Sequence, residues 1–159
     1  HVHAGGHVPD DVARYYVDLS GLTLPDDEPF DQLIAYDGSG AEQFRVAVKR
    51  DGFSGENQVF VIARSGAGGV GTDGGQELTL PNGWHAIEVN WTAGSPGSVE
   101  ICVDADASRT VGACEVLAFD NGTGRVEFVR WGAQHVAPFT AGFFRLDDFD
   151  SRRVGNIGL

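Results

Sequence analysis

The most constraining feature of this chain is its punctuation. Short β-rich segments recur along it, separated by Gly, Asn, Asp and Pro. They fall at about Tyr15–Leu19, Gln32–Tyr36, Gln43–Arg50, Gln58–Ala63, Glu77–Leu80, Trp84–Trp91, Val99–Val103, Thr110–Phe119, Arg125–Trp131 and Gly142–Phe149. Several alternate with period two. In Phe44-Arg45-Val46-Ala47-Val48-Lys49 the even positions are apolar and the odd ones mostly polar. In His85–Trp91 the apolar set is Ile87, Val89 and Trp91; Arg125–Arg130 starts the same way and blurs at Val129. Such alternation puts one strand face on a core and the other in water, as antiparallel sheets do. Turn chemistry stands between the segments at Asp37-Gly38-Ser39-Gly40, Asp51-Gly52, Pro81-Asn82-Gly83, Gly94-Ser95-Pro96-Gly97 and Asp120-Asn121-Gly122, with a longer Gly-rich loop from Ser65 to Gly75. Helical periodicity is nearly absent. Only Asp11–Val17, behind Pro9-Asp10, is expected to make a turn or two of helix. This spacing predicts an all-β, antiparallel two-sheet sandwich or barrel within one domain.

Charge and composition bound the partners. With 23 acidic side chains against 11 basic ones, the net charge of −12 argues against nucleic acid or an anionic membrane surface. No stretch is apolar for long enough to insert in a bilayer. The chain holds no Met, so its N-terminus is expected to arise by processing, as in a mature secreted or cell-surface protein or a piece released from a longer one. His1–Asp10, rich in His and Gly, reads as a tail or linker remnant before the domain at 11–159. The triplets Asn90-Trp91-Thr92 and Asn121-Gly122-Thr123 are glycosylation sequons, although Asn90 lies inside a strand pattern and Asn121 is first a turn signal.

Cys102 and Cys114 are the only cysteines. Val99–Val103 and Thr110–Phe119 should form a hairpin around Asp104–Arg109, centred near Ser108. That centring sets Cys102 directly opposite Cys114, within disulfide reach. An even count in a secreted chain suits an oxidising compartment.

Four segments in order carry a resemblance. Leu80-Pro81-Asn82-Gly83-Trp84-His85-Ala86-Ile87-Glu88-Val89-Asn90-Trp91 resembles the Gly-Trp-His strand of laminin-G-like, concanavalin-A-like jelly rolls in bacterial secreted or cell-surface proteins. Val99-Glu100-Ile101-Cys102-Val103-Asp104 is similar to the next strand, with Ala105 where Gly is usual; Val126-Glu127-Phe128-Val129-Arg130-Trp131-Gly132-Ala133 is similar to a later one. Gly142–Arg153, with Asp147-Asp148 at its centre, resembles the closing strand. The resemblance implies a concanavalin-A-like jelly-roll sandwich of about ten to twelve strands.

Catalysis is not expected. Glycosidases of such folds line one sheet face with paired carboxylates, and no Glu-x-Asp-x-Glu run occurs. The resemblance instead implies a non-catalytic extracellular recognition or adhesion module for a glycan or protein partner, with a structural calcium. Asp147 and Asp148 are the calcium ligands it implies; the alternative is that they cap a turn or pair with Arg152 or Arg153. Asp104 and Asp106 are a second candidate, because Asp104, Asp106, Ser108, Thr110 and Glu115 echo a calcium loop, although Arg109 stands where the loop needs Gly. Tyr36, Trp84 and Trp131 are the candidate sugar-stacking residues, each weighed against core packing. Two other readings stay open. One is a structural subunit of a surface or filament assembly, joined through the N-terminal tail. The other is a copper enzyme holding its metal through His1 and His3, or through His1 and a distant His85 or His135.

Overall fold

Where each strand turns its apolar face decides how the chain closes on itself. The computed structural model describes residues 11–63, 72–73, 76–119 and 125–152. The tail at 1–10 with His1 and His3, the sequon at Asn121, Arg153 and most of the Gly-rich loop lie outside the described residues. The strands are β1 (Asp11–Asp18), β2 (Leu22–Thr23), β3 (Phe30–Tyr36), β4 (Glu42–Arg50), β5 (Asn57–Ala63), β6 (Thr72–Asp73), β7 (Leu78–Leu80), β8 (Trp84–Thr92), β9 (Gly97–Val103), β10 (Ala113–Phe119), β11 (Phe128–Gln134), β12 (Ala141–Gly142) and β13 (Arg145–Arg152). One sheet has five strands in the order β10-β9-β8-β1-β13. The other has six, ordered β11-β3-β4-β5-β6, with β7 also on β5, and β12 pairs with β2. Every ladder between these strands is antiparallel. The expected antiparallel two-sheet sandwich is therefore observed.

The core lies between the sheets. Tyr15 and Val17 of β1, Ile87, Val89 and Trp91 of β8, and Val99 and Ile101 of β9 meet Leu33, Phe44, Val46, Val48, Val59 and Val61 from the six-stranded sheet. Trp91 stacks on Phe44 across the gap, with ring centroids 5.2 Å apart. Each large side chain buried this way contributes about 1.5–3 kcal/mol of transfer free energy. The alternation read in Phe44–Lys49 and His85–Trp91 is the alternation observed.

Two expectations about elements are corrected. Asp11–Val17 is strand, not helix. Its alternation of Val12, Arg14 and Tyr16 with Ala13, Tyr15 and Val17 suits a pleat, and β1 bonds to neighbours along both edges. The second strand of the cysteine hairpin begins at Ala113 rather than Thr110. Asp106 accounts for the delay: its carboxylate accepts the Ser108 and Thr110 hydroxyls and the Thr110 and Val111 amides, which holds the loop in a turn. These bonds, the Ser108 hydroxyl first, hold the Asp106 carboxyl far below its ordinary range. Cys102 faces Cys114 in the ladder, and the two are joined by a disulfide.

Candidate functional site

A bulge is where a strand stops obeying its own alternation, and two of them coincide here. On β3 the pairing with β4 slips between Asp31 and Leu33, leaving Gln32 extra. On β11 the pairing with β3 slips between Trp131 and Gln134. Gln32 and Leu33 both face the core, while Asp31 faces out on the six-stranded sheet beside Ala47. Bulges re-aim side chains, and they gather at sheet rims and active sites. Just past the end of β11, His135 sits at φ 45°, a left-handed conformation uncommon for a non-glycine.

The product of these two irregularities is an imidazole backed by a carboxylate. His135 Nδ1 lies 2.7 Å from Asp31 Oδ2. Arg45 Nη1 donates to the same oxygen at 3.1 Å, and its Nε donates to Glu42 Oε1 at 2.8 Å. The Asp31 side chain is only 5% exposed, whereas that of His135 is 63% exposed. A carboxylate only accepts, so it selects the tautomer carrying the proton on Nδ1 and leaves a lone pair on Nε2. An exposed ring in that state is built to take a proton from something outside the protein.

The same face continues along the sheet. Arg130, Ile34 and Arg45 form the next row of the ladder, then Phe128, Tyr36 and Glu42. The Tyr36 and Phe128 rings stack at 5.1 Å and 14°, and the Arg130 guanidinium lies 5.2 Å from the Tyr36 ring centre. Among the described residues no carboxylate pairs with Arg130. From Asp31 to Tyr36 the strand runs roughly 15 Å at the usual rise per residue, enough for a chain-like ligand to touch both. Ile34 and Ala47 face outward yet are buried.

The opposite face is a web of ion pairs and hydrogen bonds. Arg109, at φ 60° in the hairpin loop, reaches back to Glu88 and Glu100. Arg14 donates to the Tyr16 hydroxyl, and Arg145 to Asp18. The Ser20 hydroxyl and amide, ahead of Arg145, hold the Asp18 carboxyl below its ordinary range.

The expected site residues scatter. Tyr36 belongs to the six-stranded face. Trp131 points inward, edge-on to Tyr15 at 6.0 Å. Trp84 stands half exposed at the start of β8, on the five-stranded sheet. Asp104 Oδ2 meets His85 Nδ1 at 2.7 Å and Oδ1 accepts the Ala86 amide, so this carboxylate clamps β8 to the end of β9. The other ring nitrogen of His85 faces the Pro81 carbonyl at 2.9 Å, so both nitrogens are engaged within the fold. Asp106 caps its loop as described. Asp147 accepts the amide of Asp148, which sits at φ 50° in the bulged end-strand pairing. Among the described residues neither acidic pair gathers a third Asp, Glu, His or Cys ligand atom within 4.8 Å.

Asp31, Arg45 and Arg130 escaped sequence reading as site residues, and His135 entered only as a remote copper ligand. One signal was available: Asp31 is the single charge in Phe30-Asp31-Gln32-Leu33-Ile34-Ala35, a run otherwise fit for burial. Two clefts flank the fold. One, of about 320 Å³, opens at the seam between β1, β11 and β13 around Val12, Phe44, Val89 and Phe149, away from His135. The other, of about 380 Å³, is lined by Phe30, Ala133, Val136 and Thr140, and so adjoins the imidazole pair.

No protein-family model matches the chain, and no curated protein matches it in sequence. Among solved structures it is similar to an alginate lyase from Alteromonas sp.272, at 13% identity and a TM-score of 0.46, over 80% of this chain and 53% of that one. The chain thus spans about half the length of that enzyme. It is also similar to the marine PL-14 alginate lyase from Aplysia kurodai, at 14% identity and a TM-score of 0.50, over 93% of this chain and 71% of that one. The second likeness agrees with the jelly-roll sandwich; neither comparison points to a laminin-G family. It also corrects the expectation of a non-catalytic recognition or adhesion module, because the neighbour on this sandwich is an enzyme. The physical reason for the error is narrow. Paired strand carboxylates are the mark of glycoside hydrolysis, and their absence says nothing of chemistry that starts from a base. The disulfide fits an oxidising compartment, and no helix of the described residues is long and apolar enough to cross a membrane.

Proposed function

We propose that this chain is a secreted carbohydrate-active enzyme that cleaves a uronate-bearing polysaccharide by β-elimination on the outer face of its six-stranded sheet. The observation that carries the reading is the Asp31–His135 pair at the double bulge, with Arg130 one row along the ladder. The fold shared with an alginate lyase supports it.

Elimination needs three things of the protein. The carbon α to the uronate carboxyl is a weak acid, and neutralising that carboxylate makes its proton removable. Arg130 is the cation placed to do so, since Arg45 already serves Asp31 and Glu42. His135 Nε2 then takes the proton, and Asp31 stabilises the imidazolium that forms. The electron pair left behind forms the carbon–carbon double bond as the bond from the β carbon to the glycosidic oxygen breaks. The leaving oxygen picks up a proton from water or a neighbouring hydroxyl. The Tyr36–Phe128 stack offers a flat surface to a sugar further along the chain. Arg45 is paired with Asp31 and Glu42 and Lys49 with Glu77, so Arg130 is the cation that this face, on a protein of net charge −12, offers to an acidic polymer. A structural calcium held by Asp147 and Asp148 would sit on the other sheet and take no part in the reaction.

The test is to incubate the purified protein with alginate, with a second uronate polymer and with a neutral glucan, following ultraviolet absorbance and reducing ends together. Elimination yields both new reducing ends and the absorbing unsaturated uronate, from the uronate polymers alone. Reducing ends without absorbance would make the protein a hydrolase, and no cleavage of any polymer would overturn the reading.

A further inference from the structure

The extra residue of the β3 bulge is held by a bond from across the core. Gln32 is fully buried, and its Oε1 accepts the Tyr15 hydroxyl at 3.0 Å from β1 of the facing sheet. Tyr15 is itself fully buried, and burial pushes its phenol far above the ordinary range, so the hydroxyl stays a donor. Both neighbours of Gln32 matter. Leu33 returns to the core, and Asp31 is left facing out toward His135 and Arg45. Without an anchor for the residue between them, ordinary alternation would carry Leu33 outward and let the register slip, taking Asp31 with it.

We propose that Tyr15 and Gln32 are positioning residues: their hydrogen bond pins the inward leg of the bulge and so fixes Asp31 where it holds His135 in the Nδ1–H tautomer. The bond acts through the thickness of the sandwich, from a residue that cannot touch a ligand. Its use in turnover rests on the function proposed above, whereas its effect on the imidazole does not. Buried polar pairs are replaceable by apolar groups of similar shape at small cost to stability, so a pair kept polar here calls for a positional reason. Among the described residues Nε2 of Gln32 and Nε1 of the adjacent Trp131 have no partner, which leaves the Tyr15 hydroxyl as the one described bond on the Gln32 amide.

The test reads the imidazole directly. Nitrogen–proton correlation spectra of the full chain, labelled at histidine, report which ring nitrogen of His135 carries the proton; His135→Gln assigns the signal. The wild type is expected to show the Nδ1–H form as the major species. The double variant Tyr15→Phe/Gln32→Leu removes both polar groups while keeping ring and bulk, and is expected to bring the Nε2–H form to comparable population. Tyr15→Phe alone keeps the packing most closely, and serves if the double variant does not fold. A wild-type spectrum without the Nδ1–H form overturns the proposal, as does an unchanged tautomer in a folded variant. Assayed on the polymers above, the folded variants should lose kcat at least tenfold with KM unmoved. A tautomer that shifts in a protein that cleaves nothing sinks the lyase reading and keeps the positioning role. A tautomer that holds while the wild type cleaves does the reverse.

Discussion

Replacing Asp31 by Asn keeps the shape of the side chain and removes its charge, and the structure says what must follow. One carboxylate oxygen, Oδ2, serves both the His135 Nδ1–H at 2.7 Å and Arg45 Nη1 at 3.1 Å. An amide has one accepting oxygen and a donating NH2. With its oxygen at the Oδ2 position the amide still accepts from both donors, but as a neutral group it no longer stabilises the imidazolium that forms when His135 takes a proton. Turned over, it sets its NH2 against both donors: Arg45 falls back on Glu42, and His135 is satisfied only if the ring moves its proton to Nε2, the atom proposed to act as base. A general base is worth about 100- to 10,000-fold in rate. His135 is 63% exposed and can be oriented partly by water, so the lower half of that range applies, about 100- to 1,000-fold in kcat. A hundredfold loss corresponds to about 2.7 kcal/mol in the barrier. The cost to folding should be smaller, about 1–2 kcal/mol, for a charge-assisted bond exchanged for a neutral one. Initial rates over a range of uronate polymer concentrations separate kcat from KM, and urea unfolding measures the stability term. An Asp31→Asn enzyme within about twofold of wild type in kcat would refute the assignment of His135 as an Asp31-supported base.

Three further outcomes are expected. Arg130→Ala should lower kcat/KM on uronate polymers by more than about tenfold, equivalent to ~1.4 kcal/mol, while leaving the urea midpoint unchanged; equal loss of binding to a neutral oligosaccharide would show Arg130 to be a mere support for the Tyr36 ring. Arg109→Met should destabilise the fold by about 2–3 kcal/mol in urea, because Glu88, with its side chain 4% exposed, loses its cation, and Glu88→Gln in the same chain should recover part of it; a loss under about 1 kcal/mol would place that web among dispensable surface pairs. Asp18 has its carboxyl held below the ordinary 3.8, so its bonds to Ser20 and Arg145 stabilise the fold above that value and are lost as pH falls through the lower folded one; acid unfolding of Asp18→Asn should show a shallower dependence below 3.8, and an identical slope would deny Asp18 any share.

What the sequence disclosed is what an unbroken register discloses. Phe44, Val46 and Val48 announce an inward face by parity alone, and Arg45 and Lys49 the outward one, so half of the six-stranded face is legible in the order of its residues. The hairpin is legible too, because Cys102 and Cys114 are counters that must meet. Parity fails where one residue is added. Phe128 turns outward and Trp131 inward by plain alternation, which the apolar doublet Phe128-Val129 hides; the irregularity of β11 comes only after Trp131, opposite the one at Gln32, and no local propensity marks either bulge. The pairing of Asp31 with His135 spans 104 positions, a distance over which sequence pattern holds no information. Net charge is a coarse guide for a related reason. The net −12 describes the whole chain, while any ligand meets one face, and on this face Arg45, Arg130 and His135 stand beside Asp31 and Glu42. Asp31 and His135, the residues proposed to do chemistry, are set where the alternation breaks. A bulge costs ladder bonds and invites slippage, so a fold that keeps two of them side by side, pinned from within by Tyr15, is spending stability on where Asp31 points.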